Sequence, residues 1–194
     1  ECDWSSDVCS SDLDLVRHEI KDTYYLGSGG ASLTVNALAF DGDSMLAATS
    51  AGVYTAALND PNIFNYTGWT KDTTGFLYPR NRFTSATSFN GEFYVVNSED
   101  GAANDTVFRR HNGTWVPALG QYNRNSAVDS SGSYLVYIWS YMSAAFDTNL
   151  NAVLAMDGNV YYPPAVTDVI VDEQGQFWMA DKLKGLRSEE HTSE

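Results

Sequence analysis

Cysteine is almost missing from this 194-residue chain: Cys2 and Cys9 are the only two. Beyond Ser10 there is no thiol, which excludes a disulfide framework, a Cys-ligated metal site and a cysteine nucleophile there. Histidine is equally scarce. His18, His111 and His191 stand far apart, in no metal-ligand spacing such as His-Glu-x-x-His. No Gly-x-Ser-x-Gly nucleophile elbow occurs. Basic residues are few, 11 against 25 acidic, for a net charge of −14. Phosphate binding needs clustered Lys and Arg, so a nucleic-acid partner is excluded as the main function. Arg80, Arg82 and Arg109-Arg110-His111 form the one local basic cluster and read as solvated loop residues. No run approaches the ~20 apolar residues of a membrane helix. Helical periodicity is also poor; Ser143 to Met156 comes nearest, but Asp147, Asn149 and Asn151 there suit a turn between strands. What remains is plentiful apolar and aromatic material, 43% and 13%, a globular composition.

The two ends read as foreign to the rest. Arg187-Ser188-Glu189-Glu190-His191-Thr192-Ser193-Glu194 is the translation of AGATCGGAAGAGCACACGTCTGAA. The reverse complement of that string, one base out of phase, encodes Ser6-Asp7-Val8-Cys9-Ser10-Ser11-Asp12 and begins Leu13. Both ends thus resemble one sequencing-library adapter in opposite orientations, over Asp3 to Leu13 and Arg187 to Glu194. Residues 1–13 and 187–194 are therefore expected to be adapter-derived and disordered, with the natural termini outside the chain, and are set aside from fold reasoning. The interior, Asp14 to Leu186, then carries ten basic and eighteen acidic residues and no cysteine. Residues 14–31 are expected to be a linker or partial strand, and 32–186 the folded unit.

A repeat runs through that unit. Phe40-Asp41-Gly42-Asp43-Ser44-Met45-Leu46-Ala47-Ala48, Phe89-Asn90-Gly91-Glu92-Phe93-Tyr94-Val95-Val96, Asp129-Ser130-Ser131-Gly132-Ser133-Tyr134-Leu135-Val136 and Asp172-Glu173-Gln174-Gly175-Gln176-Phe177-Trp178-Met179-Ala180 each place a Gly turn before an apolar strand. The turn glycines recur at intervals of 49, 41 and 43 residues. Periods of about 40–50 residues with strand-turn-strand content are those of β-propeller blades. Strands are expected before each turn, at Thr34 to Phe40, Thr84 to Phe89, Ser126 to Val128 and Val166 to Val171. Third strands are expected at Gly52 to Leu58 and Thr106 to Arg110, and outer strands near Gly68-Trp69-Thr70 and Gly113-Thr114-Trp115-Val116. The unbroken apolar run after each turn suits a strand buried on both faces, and the spaced Trp69 and Trp115 suit packing between blades. The fold class expected is all-β: a partial propeller of about four blades, an open arc with raw edges that invite aggregation.

Candidate chemistry is sparse. Gly27-Ser28-Gly29-Gly30 lacks the Lys-Ser/Thr of a phosphate loop and reads as a linker or turn. Asp41 and Asp43 bracket Gly42 without the further oxygen ligands of a calcium loop. Asp172-x-x-Gly175-x-x-Trp178 is close to the sialidase Asp-box, but its Asp-to-Gly spacing is three residues rather than two and Ile170 replaces Ser/Thr. That departure weakens a glycosidase reading. Asn65-Tyr66-Thr67, Asn104-Asp105-Thr106 and Asn112-Gly113-Thr114 fit the N-glycosylation pattern. Asp168 is the one acid placed near an inner strand, and one acid is not a catalytic pair. The reading names no catalytic, cofactor-binding or metal residue, and no cofactor.

The segment Val166 to Leu186, with Phe177-Trp178-Met179-Ala180-Asp181 and Gly185-Leu186, resembles the repeat of two-component-regulator propellers; Met45 to Tyr54 is a looser copy. The order of Ser85 to Tyr94, Asn112 to Trp115, Ser130 to Val136, Phe146 to Asn151 and the Trp178 repeat is similar to the propeller of the PorZ family of the type IX secretion system. Tyr137-Ile138-Trp139-Ser140-Tyr141-Met142 departs from the plainer strand expected there. The resemblance implies an exported, outer-membrane-associated protein of the Bacteroidetes. It would be a non-catalytic scaffold whose partners are other secretion-complex proteins or surface lipopolysaccharide, with membrane contact only through other parts or partners. Two alternatives stand beside it: the sensor ectodomain of a hybrid two-component kinase, and a propeller glycosidase or lyase.

Overall fold

Four glycines at the repeat positions, Gly42, Gly91, Gly132 and Gly175, all take positive φ, between 53° and 81°. A side chain resists that region, and the tight hairpin turns need it. In the second repeat Asn90 also lies at positive φ (52°), as a two-residue turn of the strand-twisting kind requires. Each turn folds the flanking strands against each other, and the sheets grow outward from there. In the computed structural model, residues 13–14, 19–20, 23–76, 82–98, 104–123, 127–139, 142–157, 166–181 and 185–189 are described.

A two-residue ladder comes first, β1 (Leu13–Asp14) with β2 (Glu19–Ile20). The first blade follows: β3 (Val35–Asp41), β4 (Ser44–Thr49), β5 (Gly52–Ala57) and β6 (Thr70–Asp72). The second blade is β7 (Arg82–Phe89), β8 (Glu92–Ser98), β9 (Asn104–His111) and β10 (Thr114–Asn123). The third is β11 (Ala127–Ser131), β12 (Tyr134–Trp139), β13 (Met142–Phe146) and β14 (Ala152–Asp157). The fourth has three strands, β15 (Val166–Val171), β16 (Phe177–Asp181) and β17 (Gly185–Glu189). Every sheet is an antiparallel meander in chain order. Among the described residues the only helical pieces are single 3-10 turns, one at Ser28–Gly30 in the Gly-rich stretch.

Packing stacks these meanders as blades. The far face of blade one and the near face of blade two share a core of Leu46, Ala48 and Val53 with Phe83, Val95, Phe108 and Trp115. Tyr94, Val96 and Val107 of blade two meet Val128, Leu135 and Tyr137 of blade three. Val136, Ile138 and Ala145 of blade three meet Val169, Phe177 and Met179 of blade four. The second strands β4, β8 and β12 are thus buried on both sides, as their unbroken apolar runs foretell. Inner strands are stitched sideways by side chains. Ser85 Oγ donates to Val128 O (2.8 Å) and accepts from Val128 N (3.0 Å). Ser131 Oγ treats Val171 the same way, at 3.4 and 2.7 Å. This is an unclosed all-β propeller arc.

Three expectations need correction. Residues 187–189, expected to be disordered, continue β17, with Arg187 opposite Met179 and Ser188 opposite Trp178; a ladder's backbone bonds accept almost any extended segment without proline. Leu13 likewise pairs with Ile20. Nor is the first blade's outer face fully raw: Leu26, Ile63 and Trp69, with Tyr24 and Leu33, cover Met45, Ala47 and Tyr54. The basic residues Arg109, Arg110 and His111 are strand residues of β9, not loop residues; Arg80 lies outside the described residues. Tyr137–Trp139 belongs to β12, Tyr137 and Trp139 stacked at 4.7 Å, and the turn centred on Asp147 separates β13 from β14 as the Asp/Asn spacing predicts.

Candidate functional site

Among the described residues, four aspartates brace their own turns. Asp172 Oδ1 accepts from Gln174 N (3.0 Å) and Gln176 N (2.9 Å), while its Oδ2 accepts from Trp178 Nε1 (2.8 Å). The Trp178 indole, then the turn's backbone donors, hold this carboxyl below its ordinary value of 3.8. The Asp-box-like spacing therefore makes a turn brace, as a true Asp-box does. Asp147 repeats the device with Asn149 N (2.9 Å), Asn151 N (2.8 Å) and Asn151 Nδ2 (3.1 Å), and its carboxyl is held low mainly by Asn151. Asp60 and Asp72 brace their own turns through Asn62 N (2.7 Å) and Thr74 N (3.1 Å). Asp168 Oδ1 accepts from Val169 N at 2.9 Å. No group of three His, Cys, Asp or Glu side chains converges among the described residues, Asp41 and Asp43 included.

Two polar clusters remain. On the far face of blade two, His111 Nδ1 lies 2.6 Å from Glu92 Oε1, Arg109 Nη1 is 3.5 Å from Glu92 Oε2, and Asn112 Nδ2 is 3.1 Å from His111 Nε2. A His-carboxylate pair resembles the base of a catalytic triad, but its second nitrogen must meet a nucleophile. Here that nitrogen meets an amide. The cluster is a charged brace at a hairpin end. Burial and then the Glu92 charge raise the neighbouring Tyr94 phenol above 10.0.

The second cluster lies between blades one and two. Arg110, on the near face of blade two, brings Nε to 3.0 Å from Asp72 Oδ2, an ion pair off the angle of a hydrogen bond, with both atoms buried. Beside it a cavity of about 270 Å³ is lined by Ser44, Thr55, Asp60, Thr70, Phe93 and Arg110. A guanidinium, hydroxyls and a carboxylate could hold a small polar molecule, but no nucleophile is paired with a base there. The sequence reading missed this cluster, because Asp72 and Arg110 are brought together only by blade stacking. Of the three glycosylation patterns, Asn65 Oδ1 accepts from Thr67 N (3.2 Å), Asn104-Asp105-Thr106 lies in β9, and Asn112 Nδ2 lies 3.1 Å from His111 Nε2. Trp69 and Trp115 are both buried; Trp69 Nε1 donates to Ile63 O (2.7 Å) and Trp115 stacks on Phe76 at 4.9 Å.

No protein-family model matches the sequence, and no curated protein matches it. Solved structures do match. PorZ of Porphyromonas gingivalis, an essential bacterial surface component of the type-IX secretion system, superposes with a TM-score of 0.66 at 15% identity, over 91% of this chain and 21% of PorZ. The extracellular domain of the hybrid two-component system BT4673 from B. thetaiotaomicron superposes at 0.57 and 15%, over 83% of this chain and 21% of that one. The computationally designed Ika4 protein superposes at 0.56 and 11%, over 82% and 92%. This chain spans about a fifth of the first of these. At such identities the likeness is one of fold, and the fold is the β-propeller's. No helix among the described residues is long and apolar enough to cross a membrane.

Proposed function

We propose that this chain is a non-catalytic propeller segment of an exported cell-surface protein, acting as a protein-interaction scaffold in the manner of the type IX secretion component. The observation that carries the reading is where the polar chemistry goes. Asp60, Asp72, Asp147 and Asp172 brace turns, and the His111–Glu92 pair is closed by Asn112. Polar groups so occupied hold loops in shape, which is what a scaffold asks of its rims. The likeness to PorZ supports a surface role, with secretion-complex proteins or surface lipopolysaccharide as partners. The adapter reading of residues 1–13 and 187–194 belongs to the same proposal.

Genomic sequencing outward from Asp14 and Leu186 tests it. The scaffold reading expects the frame to continue into further blades, then a β-sandwich and a sorting tail. A membrane helix followed by kinase motifs would replace it with the sensor reading, which the likeness to the BT4673 ectodomain favours. A genome that encodes residues 1–13 and 187–194 in place would overturn the adapter reading alone.

A further inference from the structure

The cavity between blades one and two is open because one repeated position is small there. The residue that closes the first hairpin of a blade is Ser44 in blade one, Glu92 in blade two and Tyr134 in blade three. Each pairs with the last residue of its inner strand, Asp41, Phe89 or Ser131. Glu92 fills its place with a charged side chain held by Arg109 and His111. Tyr134 fills its own with a ring whose centroid lies 5.4 Å from that of Phe177 in blade four. Ser44 has neither bulk nor charge, and its partner across the next ladder is Ala57. Phe93 and Arg110 of blade two therefore border an open space of about 270 Å³ instead of a filled layer. That is just below the roughly 300–1,000 Å³ of pockets that take drug-sized ligands, so its occupant is smaller.

We propose that this cavity binds a small zwitterion carrying a carboxylate and an ammonium group, of the free α-amino acid class. The charges that recognise it come from opposite blades. Arg110 of blade two turns Nε to Asp72 Oδ2 at 3.0 Å, which leaves its two terminal nitrogens for a carboxylate. Asp60 of blade one gives Oδ1 to Asn62 N at 2.7 Å, which leaves Oδ2 for an ammonium. Ser44 and the cross-strand pair Thr55 and Thr70 add hydroxyls that can donate or accept beside both groups. A bare anion fits less well, because Asp72 already faces the guanidinium and Asp60 repels a second negative charge. A bare cation meets Arg110. Only a ligand with both charges satisfies both walls. This reading goes beyond the scaffold role and does not depend on it.

Titration calorimetry of the 194-residue chain with L-serine tests this. The wild type should show saturable binding of one ligand per chain. Lactate, which lacks the ammonium, and ethanolamine, which lacks the carboxylate, should each bind about tenfold more weakly or worse. Asp60→Asn should weaken serine binding by a similar factor. Ser44→Tyr copies the residue that fills the third layer, so it should abolish binding while matching circular dichroism shows the fold kept; Thr55→Gln replaces it if it misfolds. No binding of serine at millimolar concentration would overturn the proposal. So would lactate or ethanolamine binding as tightly as serine, D-glucose binding in place of serine, or a folded Ser44→Tyr chain that still binds.

Discussion

At the scale of single residues, a serine hydroxyl does two jobs at once. Ser85 gives and takes a hydrogen bond at the same residue, Val128, of the adjacent inner strand. Replacing it with alanine leaves the Val128 N–H and C=O facing a methyl group. Ser85→Ala should therefore cost about 1–3 kcal/mol, read as a lower urea midpoint with an unchanged slope. Trp115, 1% exposed and stacked on Phe76, fills the layer between blades one and two. Trp115→Ala should cost about 3–5 kcal/mol, since a cavity remains. The turn carboxylates give a pH signature. The folded chain holds Asp172 and Asp147 below their ordinary value, so their contribution is fully present above that value and disappears as pH falls through the lowered one. Thermal melts should show Asp172→Asn less stable than wild type at pH 7, with the gap narrowing as both are taken below the ordinary carboxylate range. A gap that persists in acid would mean the brace does not depend on charge.

At the scale of elements, the second strand of each blade was the most legible part of the sequence. Met45 to Ala48, Phe93 to Val96 and Leu135 to Trp139 are unbroken apolar runs because both faces of those strands are covered. The Gly turns were legible for a local reason too: positive φ selects glycine whatever the tertiary context. Strand ends were less so. β10 runs to Asn123, past the expected Val116, with two register shifts after Pro117; a bulge leaves little mark on the residue pattern. What reading along the chain could not find was contact between blades. Leu26 and Ile63 look like loop residues in sequence, yet they cover blade one. Arg110 looks solvated until Asp72, 7% exposed on the neighbouring blade, comes to meet it. Arg110→Ala should destabilise by about 1–3 kcal/mol by removing the charge that faces the buried Asp72 Oδ2. The double variant with Asp72→Asn should recover part of the loss, which a double-mutant cycle would read. The candidate cavity was illegible for the same reason, since its lining comes from two blades.

At the scale of the molecule, three filled layers and two unfilled half-layers follow from stacking four meanders without closing them. Stability in such a stack is close to a sum of blades and nearest-neighbour interfaces, so the end blades should open first. The measurement that tests this directly is amide hydrogen exchange on the 194-residue chain, diluted enough to suppress association. The account predicts the slowest exchange in β8 and β12, which lie between filled layers on both sides, and clearly faster exchange in β16, whose neighbours β15 and β17 carry the exposed Ile170 and Leu186. Protection in β16 equal to that in β8 at every dilution would contradict the open arc.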